Sequence, residues 1–218
     1  MKNQKTGVLS KLLSLLLNLA VVRMELWAIP MSWDGVHEQM FTFYTENSNL
    51  FAMAVCALMA LCQLWVLIFG REIPRWIKTL KYMVTCCLML TFLTVVFVLA
   101  PIYGPGGHYI MLCTSSMLYN HLLNPVVTFV SFVFFERRPA LEKRAVFYPL
   151  IPTLIYGLPV LALNILGVME GPYPFLRVYQ QPLWASCAWA VAIIGGNLLI
   201  ARALWALGGN KQHSFARR

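Results

Sequence analysis

Residues 47–70 read NSNLFAMAVCALMALCQLWVLIFG, and residues 71–81, which follow at once, read REIPRWIKTLK. The first stretch carries no charge and exceeds the roughly 20 residues that an α-helix needs to cross a hydrocarbon core. It lacks the polar–apolar alternation of an outer-membrane strand, and a helix satisfies its own backbone groups in lipid. The second stretch sets Arg71, Arg75, Lys78 and Lys81 at the end of that run. Basic residues gather on the cytoplasmic side of membrane helices, so this junction predicts both a span and its direction.

Working outward, the pattern repeats. Apolar runs occupy about residues 7–30, 82–101, 111–135, 145–168 and 182–207. Lys2, Lys5 and Lys11 accompany the N-terminus, and Arg137, Arg138, Lys143 and Arg144 separate the fourth and fifth runs. Lys211, Arg217 and Arg218 close the tail. The alternate connections are poor in Lys and Arg, with Arg177 alone in the last of them. Residues 1–218 therefore read as one all-α, polytopic domain of six transmembrane helices, with both termini cytoplasmic. A cleaved signal peptide is the competing view of the first run. Arg23, Glu25 and Trp27 follow that run instead of a small-residue cleavage site, and cleavage would spoil the charge alternation.

Composition agrees: 60% of the 218 residues are hydrophobic and 11% are charged, against about 25% charged in ordinary soluble domains. The formal net charge of +9 sits in short clusters between apolar runs, which argues against a nucleic-acid partner. The six cysteines form no CxxC pair and read as small core residues, although Cys113 and Cys187 fall near the same membrane face and could be joined. His37, His108 and His213 are too scattered for a metal site, and no cofactor fingerprint, P-loop or GxSxG appears.

Polar residues at membrane depth are costly and mark the bundle interior. Under the proposed topology Arg23 and Glu25 lie in the outer third of the first helix, and Thr45, Glu46, Asn47 and Asn49 at the outer start of the second. Asn120, His121 and Asn124 lie in the fourth, and Asn164 in the fifth. The inner halves hold fewer such groups, chiefly Arg202. Pro125 is expected to bend the fourth helix and free the carbonyl of His121. A neutral His can take a hydroxyl proton, and Thr45 supplies a hydroxyl at that depth. Asn and Arg donors could stabilise an oxyanion. The structural alternatives are equally physical. His121 can bridge helices, Thr45 can cap the second helix, the asparagines can join helices, and Arg23 can pair with Glu25.

Three segments together resemble a known family. They are Phe41-Thr42-Phe43-Tyr44-Thr45-Glu46-Asn47-Ser48-Asn49-Leu50, Asn120-His121-Leu122-Leu123-Asn124-Pro125 and Gly171-Pro172-Tyr173-Pro174-Phe175-Leu176. In this order on six helices they look like the androgen-induced (FAR-17a) family, which includes the androgen-dependent TFPI-regulating proteins, and in particular its bacterial branch. Animal members are threonine hydrolases of fatty acid esters of hydroxy fatty acids. The resemblance implies Thr45 as nucleophile, His121 as base, and the Tyr-Pro-Phe-Leu run as part of the pocket mouth. Here Pro125 follows His121 one residue sooner than in animal members.

The expectation is thus an intramembrane hydrolase of lipid esters in a bacterial cell membrane, with no cofactor and no metal. Its catalytic pair is Thr45 and His121. Asn47, Asn49, Asn120, Asn124, Arg23 and Glu25 are its substrate-binding or oxyanion candidates. A non-enzymatic lipid-binding or small-solute transport protein, and a membrane acyltransferase, are the alternatives. The partners are the bilayer and a membrane lipid substrate, and no oligomeric state is implied.

Overall fold

The computed structural model describes residues 2–70, 72–136 and 141–209. Six helices in it are long and apolar enough to cross a membrane, and no strand occurs among the described residues. They are α1 (Lys2–Val36), α2 (Tyr44–Phe69), α3 (Arg75–Ile102), α4 (Ser115–Phe135), α5 (Lys143–Ile165) and α6 (Leu183–Gly209). Their outward faces carry large apolar side chains such as Leu16, Leu61, Phe97, Ile155 and Leu199, all exposed. In water that surface would be prohibitive, whereas in lipid it costs nothing, and the chain is an integral membrane protein. Two ends of the bundle can be named by residues: the Tyr173 end, where α1 meets α2, α3 meets α4 and α5 meets α6, and the Glu136 end.

α3 is the central helix, with 56% of its most apolar stretch buried against 17% for α5 and α6. Tyr82 fixes it to α6 by donating a hydrogen bond to the Ala201 carbonyl at 2.8 Å, beside Phe132 of α4 and Leu204 of α6. α1 packs between α2 and α4. Its buried residues, Ser14, Asn18, Val21, Glu25, Ala28 and Ser32, recur alternately at four and three residues, the spacing of one helix face. The polar members of that face decide what α1 can pack against.

Four boundaries differ from those the sequence predicts. α1 does not stop at Pro30 but continues to Val36. Proline removes one backbone bond, which a membrane helix tolerates, and Ser32 beyond it is held by a 2.9 Å bond to Glu46. α2 starts earlier than residue 47, with Phe43 as its N-cap, so Thr45 lies inside the first turn and does not cap it. α3 begins after Pro74 and draws Lys78 and Lys81 into the helix. The fourth run is two helices. Gly107–Cys113 ends where the Thr114 hydroxyl bonds the Ile110 carbonyl, and α4 restarts at Ser115, which adopts φ 44°. Of the basic residues that set the expected direction, Arg71, Arg137, Arg138, Lys211, Arg217 and Arg218 lie outside the described residues.

Candidate functional site

Pro125 has a consequence one residue away from the expected one. Residues Leu118–Leu123 form a π-helical turn, in which a backbone N–H reaches the carbonyl five residues earlier. Proline at 125 has no N–H to give, so the carbonyl left without its helical partner is that of Asn120 rather than of His121. Asn49 of α2 fills the vacancy, donating from Nδ2 to the Asn120 carbonyl at 3.1 Å and to the Thr45 carbonyl at 2.9 Å. One side chain thereby couples the turn that bears Thr45 to the turn that bears His121.

His121 is buried, and its Nδ1 lies 2.8 Å from the Met111 carbonyl. A carbonyl can only accept, so Nδ1 carries the proton and Nε2 is left as a lone-pair acceptor. That is the tautomer a general base requires. Thr45 is also buried, but its hydroxyl pairs with the Tyr173 hydroxyl at 3.3 Å, and its backbone N–H donates to the same oxygen at 3.2 Å. No hydrogen bond joins Thr45 to His121.

Tyr173 comes from the loop between α5 and α6, and its ring stacks on Phe175 at 5.1 Å. Burial pushes the Tyr173 phenol above its ordinary range, so the hydroxyl keeps its proton and stays neutral. The loop is held close by Gly171. A Cβ there would lie 2.6 Å from the Leu176 carbonyl carbon and oxygen, which no side chain tolerates. Gly171→Ala is expected to displace Tyr173 from Thr45 and to lower the melting temperature by several degrees, as one to two kcal/mol would in a domain of this size. Melting curves with and without that substitution check it.

Thr45 and Tyr173 form part of the wall of a cavity of about 220 Å³ between α2, α3, α5, α6 and the 166–182 loop. Leu90, Val95, Leu161, Phe175 and Trp189 give it an apolar lining, and His121 is not among its lining residues. The volume falls below the roughly 300–1,000 Å³ of drug-sized ligand sites, and suits one hydrocarbon arm of a lipid better than a whole one.

The remaining candidates divide. Asn49, Asn120, Asn124 and Glu25 belong to one buried network with Glu46 and Ser32. Asn124 donates to Glu25 at 2.9 Å and to Asn49 at 3.1 Å, and Asn120 donates to Glu46 at 2.9 Å. Both N–H bonds of Asn49 and of Asn124 are thus committed within the network. Asn47 stands apart, spending both of its donors on the Phe41 and Phe43 carbonyls. Arg23 does not pair with Glu25. It is exposed and lies 4.0 Å over the Trp27 ring. Asn164 positions the loop, accepting from the Val178 N–H and donating to the Met169 carbonyl. All six cysteines are free, Cys113 and Cys187 included.

A second polar cluster lies toward the Glu136 end, where few polar groups, chiefly Arg202, are expected. Arg202 is exposed. Lys81 is fully buried and donates to Asn18 at 2.6 Å and to the Cys56 sulfur at 3.1 Å, with Glu136 3.7 Å away. Glu136 also accepts from Asn18, Ser131 and Ser14, and Gln63 donates to Ser14. Part of this cluster, though not Lys81, had a signal in the sequence. Asn18 and Ser14 share a face of α1, and Gln63 interrupts the apolar run of residues 47–70.

No protein-family model, curated protein or solved structure matches this chain.

Proposed function

We propose that this protein is an intramembrane hydrolase of lipid esters, with the Tyr173 end facing outward, Thr45 as nucleophile and His121 as base. The observation that carries the reading is a buried Thr hydroxyl set in the wall of an apolar, chain-sized cavity, paired there with a neutral phenol. A helical Thr divides between two χ1 rotamers, so an entering ester can take Thr45 Oγ1 away from Tyr173. Oγ1 then attacks the acyl carbonyl while His121 Nε2 accepts its proton. The Tyr173 hydroxyl, released from Thr45, donates to the carbonyl oxygen as charge develops on it. Collapse breaks the ester C–O bond, and the departing alkoxide takes the proton from His121. Water, deprotonated in turn by Nε2, attacks the acyl carbonyl; its bond to Thr45 Oγ1 breaks, Oγ1 takes the proton back from His121, and the acid leaves.

A second reading is supported by the gap between the pair. His121 is absent from the cavity wall, and Thr45 bonds Tyr173 instead. The cavity would then bind a lipid chain without cleaving it. A fluorophosphonate probe separates the two. Wild type is expected to be labelled covalently and Thr45→Ala not at all. Labelling that survives the substitution removes Thr45 as nucleophile. No labelling of wild type, with equal thermal stabilisation by a lipid ester and its ether analogue, selects the binding reading.

A further inference from the structure

The network around Asn49 leaves a specific set of oxygens over. The orientation of each amide in it is fixed by its neighbours. Asn124 Nδ2 faces two acceptors, Glu25 Oε2 and Asn49 Oδ1, and Asn120 Nδ2 faces Glu46 Oε2. Asn49 Nδ2 faces two carbonyls. With the nitrogens so placed, Asn120 Oδ1, Asn124 Oδ1 and Glu25 Oε1 are fully buried and have no hydrogen-bond partner. Buried polar atoms are rarely left in this condition, and each one calls for an explanation. Three of the orphaned atoms among the described residues belong to side chains of this one network. Asn120 and Asn124 are one turn apart on α4, are bridged by Asn49, and hold Glu46 and Glu25 respectively.

The charge points the same way. Glu25 and Glu46 lie near enough to interact electrostatically. The donors that reach them are amides and a hydroxyl: Asn124 for Glu25, and Asn120 and Ser32 for Glu46. Among the described residues no Lys or Arg pairs with either carboxylate; Lys81 pairs with Glu136 and Arg23 stacks on Trp27. Two carboxyl groups in a low-dielectric interior need a cation or a proton to neutralise them. One carboxylate oxygen and two amide oxygens make a hard, low-charge donor set. A divalent ion would call for more carboxylates or for a full octahedral shell.

We propose that Glu25 Oε1, Asn120 Oδ1 and Asn124 Oδ1 hold a small monovalent cation of sodium's size within the membrane span, between α1 and α4. The site is separate from the cavity at Thr45 and does not depend on the hydrolase reading. Asn49 links the two, so an ion there also braces the turn that carries Thr45.

The test uses the full chain in nanodiscs, with chloride salts at constant ionic strength. Sodium is expected to raise the melting temperature saturably by a few degrees relative to choline, and potassium to do so weakly or not at all. Radiolabelled sodium is expected to bind wild type and to be displaced by unlabelled sodium. Glu25→Gln supplies an N–H for one orphan oxygen, so it is expected to fold and to lose both responses. Lys81→Arg, remote from the site, is expected to keep them and controls for general damage. Equal melting in sodium and choline, with no retained label, overturns the proposal. A pH-dependent shift that sodium does not alter assigns the charge to a proton instead, and a calcium response without a sodium response overturns the monovalent assignment.

Discussion

Lys81→Met is expected to destabilise the protein by about 3–5 kcal/mol, the usual penalty for removing one partner of a buried ion pair. Methionine nearly matches lysine in length and apolar surface, so the change isolates the ammonium. Without it, the Asn18 Oδ1 at 2.6 Å loses its donor and Glu136 keeps only hydroxyl and amide donors. The pair also ties three helices together, since Lys81 stands on α3, Asn18 on α1 and Glu136 at the close of α4. Melting is readable without any ligand. Cys56, Cys86 and Cys87 are buried, and a thiol-reactive dye reports their exposure on heating. Lys81→Met/Glu136→Gln is expected to recover much of the loss, because no unpaired charge remains. If the single substitution melts like wild type, the ion pair is not part of the folded core.

Lys81 also shows where reading the chain from its residues succeeds and where it stops. The six helices were legible because lipid imposes one requirement on every span, an uninterrupted apolar run of fixed minimum length. That Thr45, Glu46, Asn49, Asn120 and Asn124 are buried in the bundle was legible too, since polar groups within a span are costly against lipid. Lys81 was not. In sequence it is the last of four basic residues beside a span, and nothing local separates a charge at the headgroups from one drawn inward by a partner 55 residues later. Its fate depends on Pro74 starting α3 early and on Asn18, Cys56 and Glu136 arriving from other helices.

The burial of these polar residues was legible, but not their pairing. Asn49, Asn120 and Asn124 all face the interior as expected, yet their donors go to Glu25, Glu46 and backbone carbonyls. Depth says which residues can meet. The rotation of each helix, fixed by packing, says which do. Pro125 illustrates the difference: proline predicts a freed carbonyl, but the π turn before it moves that carbonyl from His121 to Asn120. Tyr173 could be found only through the three-segment resemblance, because a loop tyrosine carries no periodicity of its own.

His121→Asn is expected to slow fluorophosphonate labelling of Thr45 by about 10²–10⁴-fold, the usual contribution of a general base, while shifting the melting temperature little. The asymmetry follows from the two ring nitrogens. An Asn amide can present an N–H where Nδ1 now donates to the Met111 carbonyl at 2.8 Å, so the contact between α4 and the Gly107–Cys113 helix survives. It supplies no basic lone pair where Nε2 stands. His121→Leu removes both and is expected to lose stability as well as labelling. A purely structural histidine gives the opposite ranking: His121→Asn would label like wild type, and only His121→Leu would show a defect, in melting. Labelling rates for wild type, His121→Asn and His121→Leu, set beside their melting curves, decide between a base and a brace.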